Sequence, residues 1–370
     1  MKRVVVHVTT VHPRDDIRIL RKECASLVGA GYEVVQVVGD GRGDALLQGV
    51  RVVDVGAAPA GRLARMRRQP TRALAAVRGL EPALVHVHDP ELLPLAVAMQ
   101  RAGVPAIYDA HEDVPRQMLT KQWLPRALRP ALAGLFERYE NASVRSLAAV
   151  VAATPHIGER FAGIARRSVV VANYPFVDEL TPPAVPVEPR ERAVCYVGGI
   201  MRSRGAFEMV RAVARVPGVR LLLAGSFEDA ALQAALSAEP GWASVDYVGQ
   251  LDRDGVRRLL ARASAGLVTL LPLPSYRDAL PIKLFEYMSA ELPVIASDFP
   301  LWRTIVEGGE CGLCVDPTSE QALAAAIREL LDAPKRARAM GASGRAAVLA
   351  RYRWPIAERE LLALYATLLP

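Results

Sequence analysis

An aspartate, seven residues and a glutamate, Asp278 and Glu286, frame the stretch of this sequence best equipped for chemistry. Pro281 and Lys283 lie between them, at the start of a run that reads as a helix over Ile282–Ser289 and leads into a buried strand over Pro293–Ser297. Pro281 suits the first turn of that helix. The free amides of the helix N-terminus and the Lys283 ammonium then point at one place, which makes an anion site. Glu286 falls one turn further in. There a carboxylate accepts both hydroxyls of a vicinal diol such as a ribose, each charge-assisted bond contributing roughly 1.5–3 kcal/mol.

Other chemistry-bearing residues cluster at strand ends. Tyr196–Gly205 reads as a strand, a loop containing Gly198 and Gly199, and a helix start at which Arg204 by itself reads as a surface arginine. In the first half, His12, Asp16 and Arg18 sit in the turn after the first strand. Asp16 reads equally well as a helix N-cap, and Arg18 as a surface pairing partner. Val85-His86-Val87-His88-Asp89 and Tyr108-Asp109-Ala110-His111-Glu112-Asp113 end two further strands. His86, inside its strand, is more simply a hydrogen-bonded structural residue. For His111, at a strand end whose polar cluster meets the rim of a cleft, that reading is weaker, and Glu112 and Asp113 beside it are available to an acceptor amine or hydroxyl.

The elements that position these residues alternate. Valine-rich runs at Arg3–Thr9, Glu33–Val38, Leu84–His88, Pro105–Asp109 and Ala149–Ala153 predict strands. Between them Asp16–Val28, Arg62–Arg78, Leu92–Arg101 and Leu132–Leu147 carry helical periodicity. Such alternation predicts a parallel sheet covered on both faces. Prolines then crowd Pro175–Pro189, which neither sheet nor helix tolerates, and a linker is expected at 181–190. The rhythm restarts with strands at Ala193–Val197, Val219–Leu223, Val245–Val248, Ala265–Leu270 and Pro293–Ser297. Helices are expected at Ala206–Ala214, Ala230–Leu236, Gly255–Ala261, Ile282–Ser289, Glu320–Leu331, Lys335–Ala350 and Pro355–Leu368. The expected fold class is α/β: two Rossmann-like domains, 1–180 and 191–354, with the helix 355–370 packing back on the first. Ligands of open parallel sheets sit at the carboxyl ends of the strands, so a cleft between the two is the expected site.

Composition agrees. A chain of 370 residues suits two ordinary domains, and 51% apolar residues suffice for full cores. No run of 18 apolar residues occurs, which argues against a spanning helix and an ordinary secretory signal. Four cysteines fit a reducing compartment, so a cytoplasmic location is expected. The net charge of +7 resides in the first half: residues 1–180 carry 24 basic and 18 acidic side chains. Arg62, Arg65, Arg67, Arg68, Arg72 and Arg78 occur without an intervening acid. That run is either a solvated helix face or a pad for an anionic membrane or acceptor, which leaves peripheral contact with the inner membrane face open. Without aromatic or zinc-finger patterning beside it, it does not point to nucleic acid.

Taken together, these motifs resemble the GT-B glycosyltransferases of the retaining family 4, also called group 1. Their carboxy-terminal domain is marked by an acid, seven residues and a glutamate. Here Asp278 stands for the usual first glutamate, and the Pro281-x-Lys283 variant resembles a branch that builds polysaccharides and glycosylated natural products. The resemblance implies that Asp278 contacts the donor sugar and Glu286 the nucleotide ribose, with Ala279 and Leu280 beside the donor. It also implies that the Gly198 loop holds the donor diphosphate. The family's loop carries an arginine where this chain has Gly199 and a lysine where it has Arg204, so Lys283 is expected to replace the missing cation. His111 would lie against the donor sugar, and His12, Asp16, Arg18 and Glu112 near the acceptor. The closing Tyr352-Arg353-Trp354-Pro355 and its helix fit as well.

The resemblance therefore implies a metal-independent hexosyltransferase without a cofactor. It would move a hexose or N-acetylhexosamine from a nucleotide sugar to a glycan, lipid-linked or small-molecule hydroxyl, and family frequency favours UDP as the carrier. A GT-B UDP-sugar epimerase and a non-catalytic nucleotide-sugar-binding protein are the alternatives. Three further patterns have cheaper explanations. Asp252-Arg253-Asp254 has the form of a metal-binding D-x-D but sits where N-capping explains it. Cys311 and Cys314 have redox spacing without a second pair and read as core. Gly39–Gly43 follows the second strand and lacks the order of a dinucleotide fingerprint.

Overall fold

A computed structural model describes residues 3–121, 124–181 and 190–369. The chain forms two compact units, one of residues up to Asn173 together with those from Trp354 onward, the other Tyr174–Arg353. The expected first domain ran to 180, but Tyr174–Leu180 belongs to the second unit, with Val177 and Leu180 buried in its core. Most of the expected linker falls on 182–189, outside the described residues.

The first unit has eight strands: β1 (Val4–Val8), β2 (Glu33–Val38), β3 (Ala45–Leu47), β4 (Val50–Asp54), β5 (Leu84–Val87), β6 (Ala106–Ala110), β7 (Ala149–Ala152) and β8 (Ser168–Val170). They form one sheet in the order β3-β4-β2-β1-β5-β6-β7-β8, parallel except for the β3–β4 hairpin. The order reverses at β1, so the carboxyl ends of β1 and β5 make a topological switch point. β1 is buried along nearly its whole length, as strands covered on both faces must be, and this places His7 in the core directly opposite His86 of β5. The expected helix at Asp16–Val28 exists in two parts: wide π-helical turns over Ile17–Cys24, then α1 (Ala25–Gly29). Around the sheet follow α2 (Arg62–Gly79), α3 (Leu93–Arg101), α4 (Val114–Met118), α5 (Arg129–Ser146) and α6 (Pro155–Ala162).

The second unit holds α7 (Ala206–Ala214), α8 (Ala230–Ser237), α9 (Arg253–Arg262), α10 (Ile282–Ser289), α11 (Pro300–Val306), α12 (Glu320–Asp332) and α13 (Pro334–Arg351). Its six strands are β9 (Ala193–Val197), β10 (Arg220–Ala224), β11 (Val245–Tyr247), β12 (Ala265–Val268), β13 (Val294–Ser297) and β14 (Gly312–Val315). All pair in parallel, in the order β11-β10-β9-β12-β13-β14, and the switch point lies between β9 and β12. One core fills each face of this sheet. The final helix, α14 (Trp354–Leu368), returns to the first unit: Trp354 Nε1 donates to Ser26 Oγ at 3.0 Å, and Tyr365 is fully buried. Among the described residues no helix is long and apolar enough to cross a membrane.

The turn after β10 supports the turn after β9. Gly225 has φ of +139°, and a Cβ there would stand 1.9 Å from the Gly198 carbonyl oxygen. Both the backbone conformation and the space exclude a side chain. Gly225→Ala is therefore expected to lower stability by about 2–3 kcal/mol, read as a reduced Tm in calorimetry.

Candidate active site

In the second unit the sequence-singled residues converge at the switch point. Lys283 is the second residue of α10, whose other side chains Leu284, Phe285, Tyr287 and Met288 are core. The apolar packing of that helix draws the lysine in with it, leaving the residue 8% exposed. Its Nζ lies 3.8 Å from the centre of the Tyr196 ring and makes no hydrogen bond. Burial, and then the neighbouring Arg204 charge, push this ammonium well below the usual lysine range, with Glu286 opposing. Gly198 has φ of +130°, and a Cβ there would meet Lys283 Nζ at 3.1 Å. The absent side chain is what lets the ammonium approach the loop backbone. Arg204 joins from the other side, its Nη1 donating to the Gly199 carbonyl at 3.4 Å, and the Tyr196 hydroxyl donates to the same oxygen at 2.8 Å. Lys283, Arg204, Gly198 and Gly199 thus share one neighbourhood, as the sequence led us to expect.

Glu286 follows one turn later, and its partner was missed. Arg253, read only as the middle of an N-cap triplet, donates from Nη1 to Glu286 Oε1 at 2.8 Å and from Nε to Glu179 Oε2 at 2.9 Å. Asp252 does cap α9, accepting the Gly255 N–H at 2.7 Å. The guanidinium holds one carboxylate oxygen of Glu286 and orients the other. The acidic neighbour was visible in the sequence, but the pairing between α9 and α10 depends on tertiary contact. Pro281 stands at the cap of α10 and not within its first turn. Asp278 is partly exposed in the loop before it. Ala279 spends both backbone groups inside that loop: its N–H goes to the Tyr276 carbonyl, and its carbonyl accepts Trp302 Nε1 at 2.7 Å. Leu280 packs against the core.

In the first unit the polar residues after β1, β5 and β6 meet at the other switch point. Asp109, fully buried, is the hub. It receives Arg18 in bidentate form, Nε to Oδ2 at 3.0 Å and Nη2 to Oδ1 at 2.9 Å. His111 Nε2 lies 2.9 Å and His88 Nδ1 3.2 Å from Oδ2. Burial works to raise the Asp109 carboxyl, but the charges of Arg18 and His111 and the two imidazole hydrogen bonds hold it well below the usual range. His111 remains partly accessible, and its ring lies 4.9 Å from that of His12, tilted by 40°. His12 bridges two carboxylates, 3.5 Å from Asp16 and 3.6 Å from Asp89. Asp16 also caps the π-helical segment through the Arg18 and Ile19 N–H groups. Burial is outweighed by the His12 and Ile19 hydrogen bonds, and its carboxyl sits at about 2. Asp89, not singled out from the sequence, is buried and accepts Thr9 Oγ1 and the Thr10 and Val11 N–H groups. Glu112 is exposed and holds the Gln117 amide.

Arg18 corrects the sequence reading. It is neither a surface residue nor free for an acceptor: besides Asp109, it donates to the Val171 carbonyl at 2.7 Å, which occupies the guanidinium inside the unit. The wide turns of Ile17–Cys24 bury Arg18, Lys22 and Glu23 together. Cys311 is core as expected, its thiol donating to the Val306 carbonyl at 3.4 Å.

His7, His86 and His88 are buried, and burial lowers the affinity of each for a proton. Their folded-state pKa values lie below the unfolded 6.5. Above about pH 6.5 both states are neutral, and below it the unfolded chain gains protons that the fold refuses. Each ring then removes up to about 1.4 kcal/mol per pH unit. Glu23, raised by burial and by Asp109, and the modestly raised His12 act in the opposite sense but are outnumbered. Tm is expected to fall between pH 7.5 and 5.5 in scanning calorimetry.

Comparison with known proteins adds the family. A profile described as glycosyl transferases group 1 matches residues 178–347, and one described as a glycosyl transferase 4-like domain matches 18–175. A D-inositol 3-phosphate glycosyltransferase of Segniliparus rotundus is 31% identical over 189 residues, which is 48% of this chain and 40% of the relative. The match therefore spans less than half of that relative's length. A glycogen synthase of Mycobacterium tuberculosis is 25% identical over 295 residues, 75% of this chain and 67% of the relative. Among solved structures, sucrose-phosphate synthase from Thermosynechococcus elongatus superposes with a TM-score of 0.79 at 19% identity over 99% of both chains. Anabaena HepE in complex with UDP-glucose gives 0.74 at 14% identity over 98% of this chain and 99% of that one. At such identities the structures are similar in fold alone.

Proposed function

The chain belongs to the group 1 glycosyltransferases and has the GT-B fold, and from that premise we propose that it transfers a hexose or N-acetylhexosamine from a UDP-sugar to an acceptor hydroxyl of a glycan, lipid-linked glycan or small natural product, with retention at the anomeric carbon. The observation that carries the reading is the unpartnered Lys283 ammonium against the Gly198 backbone, with Arg204 beside it. A buried cation without a partner is unstable unless an anion joins it, and a diphosphate is an anion of suitable charge and length for two cations.

In this reading Arg204 and Lys283 stabilise the charge that develops on the departing UDP. Glu286, steadied by Arg253, accepts a ribose hydroxyl through its free oxygen. Asp278 and His111 orient the sugar, and His12, Asp16 and Glu112 serve the acceptor. Attack occurs on the face from which the leaving group departs, and the diphosphate takes the acceptor proton. The rate then derives from positioning and preorganised charge. The two side-chain cations do the work that a divalent metal would otherwise do, so full activity is expected in excess EDTA. Proton NMR of the product should show the anomeric coupling of the donor sugar. Conversion of donor without acceptor would instead favour an epimerase, and donor binding with neither transfer nor hydrolysis a non-catalytic role.

The proposed location is cytoplasmic, with peripheral contact at the inner membrane face through α2. That helix exposes Arg67, Arg68, Arg72 and Arg78, while Arg65 pairs with Glu91 at 3.1 Å.

Lys283→Met separates function from stability. Removing one preorganised charge should lower kcat by on the order of 10²–10³. Relief of the buried ammonium should raise stability by about 1–2 kcal/mol. A UDP-release assay and calorimetry on the same preparation measure both.

A further inference from the structure

Buried polar groups in the centre of the first unit's sheet connect without a break. His7 of β1 and His86 of β5 lie side by side, His88 follows β5, and Tyr365 reaches them from α14; each is at most 2% exposed. His86 Nδ1 is 2.9 Å from the Tyr365 hydroxyl, and that hydroxyl is 3.0 Å from His7 Nε2. His7 Nδ1 is 2.9 Å from His88 Nε2, and His88 Nδ1 is 3.2 Å from Asp109 Oδ2.

Donor and acceptor roles along this series follow from its end. Asp109 is ionised, because it takes the bidentate Arg18 guanidinium, and an ionised carboxylate only accepts. His88 must therefore carry its proton on Nδ1. His111 Nε2, 3.2 Å from that nitrogen, donates to the same carboxylate oxygen and offers it no alternative acceptor. A neutral His88 then accepts at Nε2, so His7 donates from Nδ1 and accepts at Nε2. The Tyr365 O–H fills that acceptor, and the tyrosine oxygen takes the Nδ1–H of His86. The series ends at His86 Nε2, which has no hydrogen-bond partner. A bare lone pair is tolerated there, whereas a second proton would leave a buried, charged donor unsatisfied. Glu23 lies near this end, Oε2 4.0 Å from His86 Nδ1 and Oε1 3.1 Å from Arg18 Nε, and burial and Asp109 raise its carboxyl above the usual range against the Arg18 charge. Ligand-type atoms of His7, Glu23, His86 and His88 do lie within 4.8 Å of one another. The tyrosine hydroxyl, however, already occupies His7 Nε2 and His86 Nδ1.

We propose that His86, Tyr365, His7 and His88 form one oriented hydrogen-bond chain that fixes all three histidines as neutral Nδ1–H tautomers and directs a donor onto Asp109, making Tyr365 a positioning residue for the Asp109–His111 pair. A solvent-exposed neutral histidine side chain prefers the proton on Nε2, so three rings locked the other way are a distinctive signature. In proteins the hydrogen bond made by one ring nitrogen sets the state of the other. The functional half of the proposal rests on His111 serving sugar transfer; the tautomers do not.

The test uses the full chain with 15N-labelled histidine side chains. His12→Asn and His156→Asn clear two of the six rings from the spectrum. Long-range 1H–15N correlation at pH 7.5 should show three neutral Nδ1–H rings. An Nε2–H ring, a doubly protonated ring or a metal-shifted nitrogen among the three overturns the chain. In Tyr365→Phe, the His88 and His111 signals should move and kcat for UDP release from UDP-glucose should fall between about tenfold and a hundredfold with the donor KM unchanged. His88 and His111 signals that stay in place overturn the positioning role. Three Nδ1–H rings in a wild-type protein that turns over no UDP-sugar would support the chain and overturn the proposed function.

Discussion

A lysine amine enclosed by protein, with no hydrogen-bond partner, is the constraint on which the second unit turns. Lys283 is carried inward because the helix bearing it is otherwise apolar, with Leu284, Phe285 and Met288 committed to the core. The face of the Tyr196 ring gives the ammonium partial compensation, since a cation over an aromatic ring is attracted by the ring's quadrupole. It is far from full compensation. The two glycines that stack here, Gly198 beneath the lysine and Gly225 beneath Gly198, keep the approach clear. Folding stability is thus held back locally, and on the proposed function an arriving polyanion would recover it. This arrangement suits a catalyst that must bind a leaving group more tightly as its charge grows.

The first unit answers the same physical difficulty in the opposite way. Its Asp109 carboxylate, Arg18 guanidinium and row of imidazoles pair with one another internally, although His86 Nε2 and the Glu23 carboxyl make no hydrogen bond. Asp109 stays ionised deep in the sheet because Arg18 is fixed beside it by the Val171 carbonyl and by the wide turns of its helix. The accessible residues at the rim, His111, His12 and Asp16, inherit their orientation from this closed network. On the proposed function, the second unit would grip a leaving group and the first would hold a sugar and acceptor in place.

Much of this was legible from residue patterning. Ala193–Val197, Ala206–Ala214 and Ile282–Ser289 occur with the boundaries that periodicity gave them, because strongly apolar strands and amphipathic helices announce themselves locally. Strands β3 and β8, three residues each, and β14, which holds Cys314 of the cysteine pair, were too short or too mixed in composition to register. The Lys283–Gly198 neighbourhood was foreseen, since a strand end and a helix start at a switch point must adjoin. Arg18 was misjudged: a run reading Ile-Arg-Ile-Leu-Arg-Lys has no periodicity that marks which arginine turns inward, and only the partner on β6 decides it. Arg253 was overlooked for a similar reason, because its role lies in a contact between two helices distant in sequence.

The return of α14 to the first unit makes the second unit, in topological terms, an insertion between two parts of the first. As the chain emerges from the ribosome, Tyr174–Arg353 has all its strands and helices available before Trp354 is made. The earlier half, although synthesised first, still lacks Tyr365 in the middle of its sheet. Until Tyr365 is made it holds a row of imidazoles with one link missing, in an incompletely filled core. The later-born half therefore has the opportunity to complete itself first, and the amino-terminal half closes only once α14 has been made.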